Sequence, residues 1–161
     1  MKRNIGPTTL VLLVFAMFVV SMASPSALAQ QCSLAGAAGA YGFTGTGTLL
    51  LATGAVPIAA AGRLNLRVDG TLSGTEARSV GGDFANETLT GTWTVNASCR
   101  FTVTAKVFVS GALVRTSVLS GVLDENMTEA RDDQKSLTLP DGTNVPVVIT
   151  DRKSTRLNSS H

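Results

Sequence analysis

Histidine is almost absent from the sequence: the only one is His161, the last residue. A Ser-His-Asp triad, a Cys-His pair and an imidazole-based zinc site all require histidine. Residues 30–150, which we take as the mature domain for the reasons given below, contain none. The sequence therefore excludes these chemistries from that domain, and we predict no catalytic residue, no metal and no cofactor.

Cysteine is also scarce, with Cys32 and Cys99 alone. Two thiols without a histidine make a poor metal site, and a reactive thiol pair is the other alternative. A secreted chain with two cysteines most simply forms one disulfide. The predicted disulfide would join the start of the domain to the turn between its two most regular strands.

Charge is low, at 15% of residues, and its basic balance comes from the ends of the chain. The whole sequence has a formal net charge of +2, whereas residues 30–150 carry eight Lys and Arg against ten Asp and Glu, a net charge of −2. The basic balance is thus no evidence for a nucleic-acid or acidic-membrane partner. We predict that the protein binds no nucleic acid.

Residues 1–29 have the three parts of a secretory signal peptide in the required order. Lys2 and Arg3 are followed by the apolar run Leu10–Val20 and by the cleavage-site motif Ala27–Ala29. The run is eleven residues long, short of the roughly 20 that cross a bilayer. We expect cleavage after Ala29, a secreted or periplasmic protein, and no membrane span after cleavage.

Residues 151–161 resemble a sequence that is foreign to a natural protein. They read DRKSTRLNSSH, which is the in-frame translation of a common short-read sequencing adapter. We therefore expect them to be foreign to the natural chain and exclude them from fold reasoning; the alternative is a polar disordered tail. On this interpretation, residues 30–150 form a single β domain and the native chain beyond about Thr150 is missing.

Alternating apolar and polar residues dominate the stretch from Gly91 to Val109. Trp93 and Val95 alternate with threonines, and after the turn-type residues Asn96–Cys99 the alternation resumes from Phe101. A period of two is typical of a half-buried strand, because successive side chains point to opposite faces. Two such runs separated by four turn residues predict an antiparallel hairpin.

Further segments with strand character are separated by short turns such as Asp69-Gly70 and Pro140-Asp141-Gly142. These segments are Tyr41–Leu51, Val56–Ala61, Arg63–Val68, Thr71–Val80, Ala112–Leu123 and Asn144–Thr150. The glycines of the first do not form a phosphate loop, because no Lys-Ser or Lys-Thr follows them; within a strand, glycine marks a bulge or a barrel corner.

The segment Asp124–Lys135 is ambiguous. Asn126 with Glu129 three residues later resembles a helix cap, but we favour a turn followed by a strand. With about eight strands and no clear helix, the sequence predicts an all-β antiparallel meander, a small closed or nearly closed barrel, with a β-sandwich as the alternative. Such a barrel is filled by side chains or holds one small ligand.

Three segments, Gly39–Phe43, Val68–Gly74 and Leu89–Cys99, resemble a group of small secreted bacterial proteins of unknown function. The resemblance covers most of residues 32–139 and implies a shape similar to lipocalin-like and allene-oxide-cyclase-like barrels. It implies no activity. The chain lacks the Gly-x-Trp motif that lipocalins have near the N-terminus and lacks a C-terminal helix, so a lipocalin-type ligand is not implied.

Three functions remain open at this point. The first is binding of a small apolar ligand inside the barrel, lined by the aromatic side chains of Tyr41, Phe43, Trp93 and Phe101. The alternative is that these residues are plain core, because a fold alone does not carry a function. An interior cavity of at least about 300 Å³, the size of ordinary ligand pockets, would distinguish the two.

The second function is that of a structural or envelope-associated protein that works by contacts with an unidentified partner. The third, less favoured, is that of a barrel-type isomerase or cyclase. In that case Arg115, Glu129 and Arg131 would point into the barrel and position a substrate. Finding Glu129 and Arg131 on the outer face would count against it.

Overall fold

The structure, a computed structural model, describes residues 31–158. They form one closed barrel of eight antiparallel strands, in which each strand pairs with the next and β8 returns to β1. The strands are β1 (Gly39–Leu51), β2 (Gly54–Leu66), β3 (Thr71–Val80), β4 (Asp83–Val95), β5 (Arg100–Val109), β6 (Ala112–Leu123), β7 (Glu129–Thr138) and β8 (Val147–Arg156). The predicted antiparallel meander barrel is confirmed. The predicted signal peptide lies outside the described residues.

The hairpin of β4 and β5 forms as predicted. Trp93 is 2% exposed, whereas Thr92 and Thr94 on either side of it are exposed. Trp93 lies opposite Val103 in the register of the two strands. Both residues belong to the apolar core that fills the barrel. The alternation in the sequence therefore sorts side chains between the interior and the outer wall.

The strand boundaries differ from the prediction around Gly62. The segments predicted as two strands, Val56–Ala61 and Arg63–Val68, merge into the single strand β2, which ends at Leu66. A side chain at Gly62 would lie 2.3 Å from the carbonyl oxygen of Thr75. The glycine thus permits close approach of neighbouring backbone within a continuous strand instead of breaking it.

The ambiguous segment after Asp124 is a turn followed by β7, as favoured. The Asp124 carboxylate accepts hydrogen bonds from the backbone N–H groups of Thr128, at 2.6 Å, and Glu129, at 3.0 Å. It therefore closes a turn, and the Asn126 cap that would have begun a helix does not form. One short helix that the sequence did not predict, α1 (Leu34–Ala37), precedes β1.

Helix α1 covers one end of the barrel, which we call the helix end. The disulfide between Cys32 and Cys99 ties the segment before α1 to the β4–β5 turn, so the predicted pairing is confirmed. The Tyr41 hydroxyl lies 2.9 Å from two carbonyl oxygens, those of Ala37 and Met127. These contacts close the helix end with protein atoms.

Strand β8 extends further than the predicted last strand Asn144–Thr150. It continues through residues 151–156 and pairs with β1 along most of its length. Its ladder with β7 is short, with only three residue pairs. Residues 151–156 thus take part in closing the barrel, while the expectation that residues 151–161 are foreign to the natural chain stays a prediction.

Candidate functional site

Two carboxyl groups face each other inside the barrel. The register of β3 and β4 places Glu76 directly opposite Glu87. Alternate residues of a strand face the same side. Glu76 is four positions after buried Leu72, and Glu87 is six positions before buried Trp93, so both side chains point inward. Like charges directly opposite each other destabilise a strand pair, and the barrel must compensate for them.

Arginine side chains supply the compensation. Arg115, on β6, donates from Nη1 to Glu87 Oε1 at 2.9 Å and from Nη2 to Glu87 Oε2 at 2.7 Å. The same Nη2 donates to Glu76 Oε1 at 2.5 Å. Arg78 donates from Nε to Glu87 Oε1 at 2.9 Å. We call Glu76, Arg78, Glu87 and Arg115 the interior charged cluster.

The two carboxyls of the cluster differ in acidity. Burial raises the pKa of Glu76 to about 7, helped by its hydrogen bond with Glu87 and opposed by Arg115. Burial also acts to raise the pKa of Glu87, but hydrogen bonds from Arg115 and Arg78 outweigh it and lower that pKa to about 2. Near neutral pH, therefore, Glu87 is the ionised partner of both arginines, and Glu76 titrates.

A second buried ion pair lies between β7 and β8. Arg152 Nε is 2.6 Å from Asp132 Oδ1, but the N–H does not point at the oxygen, and neither atom has a hydrogen-bond partner. Burial raises the pKa of Asp132, and Arg152 opposes that rise. The Arg152 guanidinium carbon also lies 4.8 Å from the centre of the Phe43 ring. This pair joins the two strands where their backbone ladder is missing.

The interior holds little free space. A cavity of about 60 Å³ lies beside the interior charged cluster, and another of about 30 Å³ lies beside Trp93. Ligand pockets usually measure about 300–1,000 Å³. At about 10–15 Å³ for each water, the larger cavity has room for a few water molecules only.

The four aromatic residues predicted to line a ligand site all lie in the barrel interior. Tyr41, Phe43, Trp93 and Phe101 belong to the apolar core. Trp93 donates from Nε1 to the Arg67 carbonyl oxygen at 2.9 Å. The Tyr41 hydroxyl contacts the carbonyl oxygens of Ala37 and Met127 at the helix end. Their polar atoms are thus engaged by the backbone, and their rings fill the space that a ligand would need.

The three charged candidates do not come together. Arg115 points inward, but Glu129 and Arg131 lie on the outer wall. There Glu129 pairs with Lys153 at 2.6 Å and Arg131 pairs with Asp151 at 3.0 Å, and both pairs are well exposed to solvent. The arrangement required for the isomerase or cyclase, with all three side chains in one pocket, is absent from the described residues.

Sequence reasoning missed Glu76, Arg78 and Glu87. The signal was present, because these residues share parity with buried apolar neighbours in their own strands. A charged residue at an inward position of a strand needs a partner inside, and Arg115 has inward parity in the same way. The alternation along each strand could have shown that all four side chains face inward. Which of them come into contact depends on the strand register, which is known only from the folded structure.

Exposed apolar side chains gather at the end opposite α1, which we call the apolar end. Eight large apolar side chains are exposed among residues 31–158, and five of them lie there. Phe84 is the most exposed, at 67%. We call the five the apolar collar: Leu50, Leu51, Phe84, Leu113 and Val148. They belong to β1, β4, β6 and β8, so they surround the barrel rim.

The apolar end is also nearly free of charge. Its four connections, with the adjoining strand ends, are residues 50–57, 79–85, 108–114 and 138–148. Within them the only ionisable residues are Asp83 and Asp141, and there is no lysine or arginine. The helix end differs, because its connections carry charges of both signs: Arg67, Asp69, Arg100, Asp124, Glu125 and Glu129. The barrel therefore has one charged end and one apolar end.

The other surface features of residues 31–158 give weaker indications of a functional site. A shallow groove of about 490 Å³ on the outer wall of β2, β3 and β4 exposes small and polar residues such as Ala61, Ala77 and Thr88. Across residues 31–158, no three His, Cys, Asp or Glu side chains converge as metal ligands. No helix in that range is long and apolar enough to cross a membrane.

Comparison of the chain with protein-family models, curated proteins and solved structures finds no match. By its structure, the protein is an eight-strand antiparallel meander barrel with a disulfide-tied helix at one end.

Proposed function

We propose that the protein is a secreted or periplasmic contact module and that the apolar collar is its contact surface. The observation that carries the proposal is the concentration of exposed Leu, Phe and Val side chains at a nearly uncharged end. Apolar residues scattered singly over a surface are ordinary. A contiguous exposed apolar patch on a soluble protein marks an interaction site.

Two features of the chain support a secreted or periplasmic location. A disulfide persists in an oxidising environment such as the periplasm or the extracellular medium. The pair Cys32–Cys99 is compatible with that location, and the apolar run followed by Ala27–Ala29 in the sequence supports it.

The interior supports contact over enclosure. The core aromatics occupy the barrel, and its cavities are far below ligand size. The interior charged cluster balances its own charges, with two guanidinium groups facing two carboxyl groups. Buried charges that are already paired have little to offer an incoming group.

A small apolar ligand remains the second candidate, and one observation favours it. The 60 Å³ cavity combines apolar walls, including Leu49, Ile58 and Val107, with the polar Arg115 and Gln134. Apolar walls with a few convergent polar groups are typical of ligand pockets. A ligand here would have to enlarge the cavity several-fold.

Site-specific photo-crosslinking tests the contact surface. A photoreactive amino acid is placed at Phe84 in the collar and, as the control, at Val68, which is 64% exposed but lies at the helix end. Each variant is expressed in a host that exports it, irradiated in the intact envelope, and its adducts are identified by mass.

We expect a defined adduct from position 84 and none, or only random labelling, from position 68. Equal labelling at the two positions would contradict the proposal, because exposure alone would then explain it. Absence of any adduct at position 84 would also contradict it.

A further inference from the structure

We propose that the apolar collar docks on a neutral, zwitterionic phospholipid surface. The inference rests on the proposed function, since it names the partner of the same collar.

The collar has the arrangement that a flat apolar partner requires. Its side chains come from β1, β4, β6 and β8, and each lies within three residues of a connection at the same end. Phe84 follows the Gly81-Gly82 turn, where both glycines have positive φ, so the β3–β4 hairpin ends directly beside its most exposed aromatic ring. A ring of apolar side chains around a rim can enter a planar interface together, which a single protruding side chain cannot do.

Charge distinguishes this surface from the alternatives. An anionic membrane attracts lysine and arginine, and the apolar end has neither, while Asp83 and Asp141 would be repelled. A second copy docked end to end would bring four carboxylates and no cation into one poorly solvated interface, where like charges are costly. A zwitterionic headgroup layer carries cationic groups that pair with two carboxylates, above acyl chains that receive the collar.

The turns of the apolar end carry neutral polar residues beside the collar. Thr53, Ser110, Thr143 and Asn144 are all exposed and hold hydroxyl or amide groups without charge. Neutral hydrogen-bonding groups at the depth of the headgroups, with leucine, valine and phenylalanine beyond them, match the gradient of polarity across a membrane interface.

Vesicle sedimentation tests the inference with matched variants. The collar variant carries Phe84→Ser and Leu113→Ser, and the control carries Val68→Ser and Val122→Ser, which change exposed apolar residues outside the collar. Both pairs lie on the surface, so both variants should keep the fold, and thermal denaturation followed by circular dichroism checks that they do. The secreted protein is mixed with vesicles of phosphatidylcholine alone and of phosphatidylcholine with anionic lipid.

We expect wild type and the control to bind phosphatidylcholine vesicles equally and the collar variant to bind at least about tenfold more weakly. Added salt should change the binding little, because burial of the apolar collar drives it and the exposed pairs between two carboxylates and the headgroups contribute little. Equal binding by both variants, binding only to anionic vesicles, or no binding would overturn the inference. A collar-dependent dimer in gel filtration would overturn it in favour of self-association.

The outcomes separate this inference from the proposed function. If position 84 crosslinks to an identified protein and vesicles fail to bind, the lipid inference fails and the contact module stands. If neither position 84 nor vesicles give a collar-dependent signal, both fail.

Discussion

The guanidinium of Arg115 and the carboxylate of Glu87 face each other inside the barrel with two parallel hydrogen bonds of 2.9 and 2.7 Å. This bidentate geometry is the strongest that the two groups can form. It links β6 to β4 across the interior, between strands that are not neighbours in the sheet. The pair also relieves the repulsion that the strand register imposes on Glu76 and Glu87.

Replacing Arg115 should therefore destabilise the fold strongly. In Arg115→Leu, Glu87 keeps Arg78 but loses its bidentate partner, and Glu76 loses its contact with an arginine. We expect the free energy of unfolding to fall by about 3–5 kcal/mol, the usual cost of breaking a buried ion pair. Urea denaturation measures the change. Arg100→Leu, at an exposed position on the outer wall, should change it by less than about 0.5 kcal/mol; equal effects of the two variants would show that the cluster contributes nothing special.

Stability should fall as pH rises from about 4.5 to about 7. The pKa of Glu76 is raised from 4.5 to about 7 by burial, so the folded state binds more protons than the unfolded state in this range. The stability associated with the protonated carboxyl is complete below pH 4.5 and is lost as pH rises through the folded pKa. The pKa of Glu87, lowered to about 2, gives the opposite limb, with stability lost as pH falls from 4.5 towards 2.

Glu76→Gln tests this assignment, because an amide imitates the protonated carboxyl. The variant should be more stable than wild type above pH 7, by about 3 kcal/mol. Its fall between pH 4.5 and 7 should be much smaller, with the buried Asp132, whose pKa is also raised, still contributing. Chemical denaturation across that range measures both. A wild-type profile that is flat there, or a variant that is less stable above pH 7, would contradict the pKa of Glu76.

Removing the disulfide should destabilise the protein without changing its fold. The pair Cys32–Cys99 spans 67 residues, for which the chain-entropy estimate is about 4 kcal/mol. Cys32→Ser with Cys99→Ser should lose that amount in urea denaturation, and reduced wild type should match the double variant. A double variant as stable as oxidised wild type would contradict this prediction, because the disulfide would then add nothing to the stability.

The ion pair of Asp132 and Arg152 tests whether residues 151–156 of β8 pack as the structure describes. Arg152→Leu leaves the Asp132 carboxylate buried without its cation, and we expect a loss of about 3 kcal/mol. Adding Asp132→Asn removes the unpaired carboxylate, and we expect it to restore most of the lost free energy of unfolding. If Arg152→Leu alone has no effect on the free energy of unfolding, residues beyond Thr150 do not pack against the interior in the way that the structure describes.

Much of the fold could be predicted from local pattern. The period of two around Trp93 fixes which side chains turn inward, and the turn signal at Asp69-Gly70 fixes the β2–β3 hairpin, because both depend on neighbouring residues alone. Helix α1 could not be predicted in the same way. Four residues are too few to show a helical period, and α1 is held by a contact distant in sequence, the hydrogen bond that Arg156 donates to the Gly36 carbonyl oxygen.

The candidate site was harder to predict for a physical reason. The interior charged cluster depends on a register between β3 and β4 and on a contact across the barrel to Arg115, and neither is encoded locally. Glu129 and Arg131 lie on the outer wall because they alternate with buried Ala130 along β7. The ambiguity between helix and strand in the sequence obscured this. The apolar collar depends on which connections share an end, and that emerges only once the meander is closed.

Native mass spectrometry of the secreted protein, purified without organic solvent, tests most directly whether the protein acts through its surface and not by enclosing a ligand. With the interior filled by its own side chains, the expected mass is that of the mature polypeptide with one disulfide and nothing bound. A small molecule retained through purification, and lost when Arg115 is replaced, would contradict that expectation and place the functional site inside the barrel.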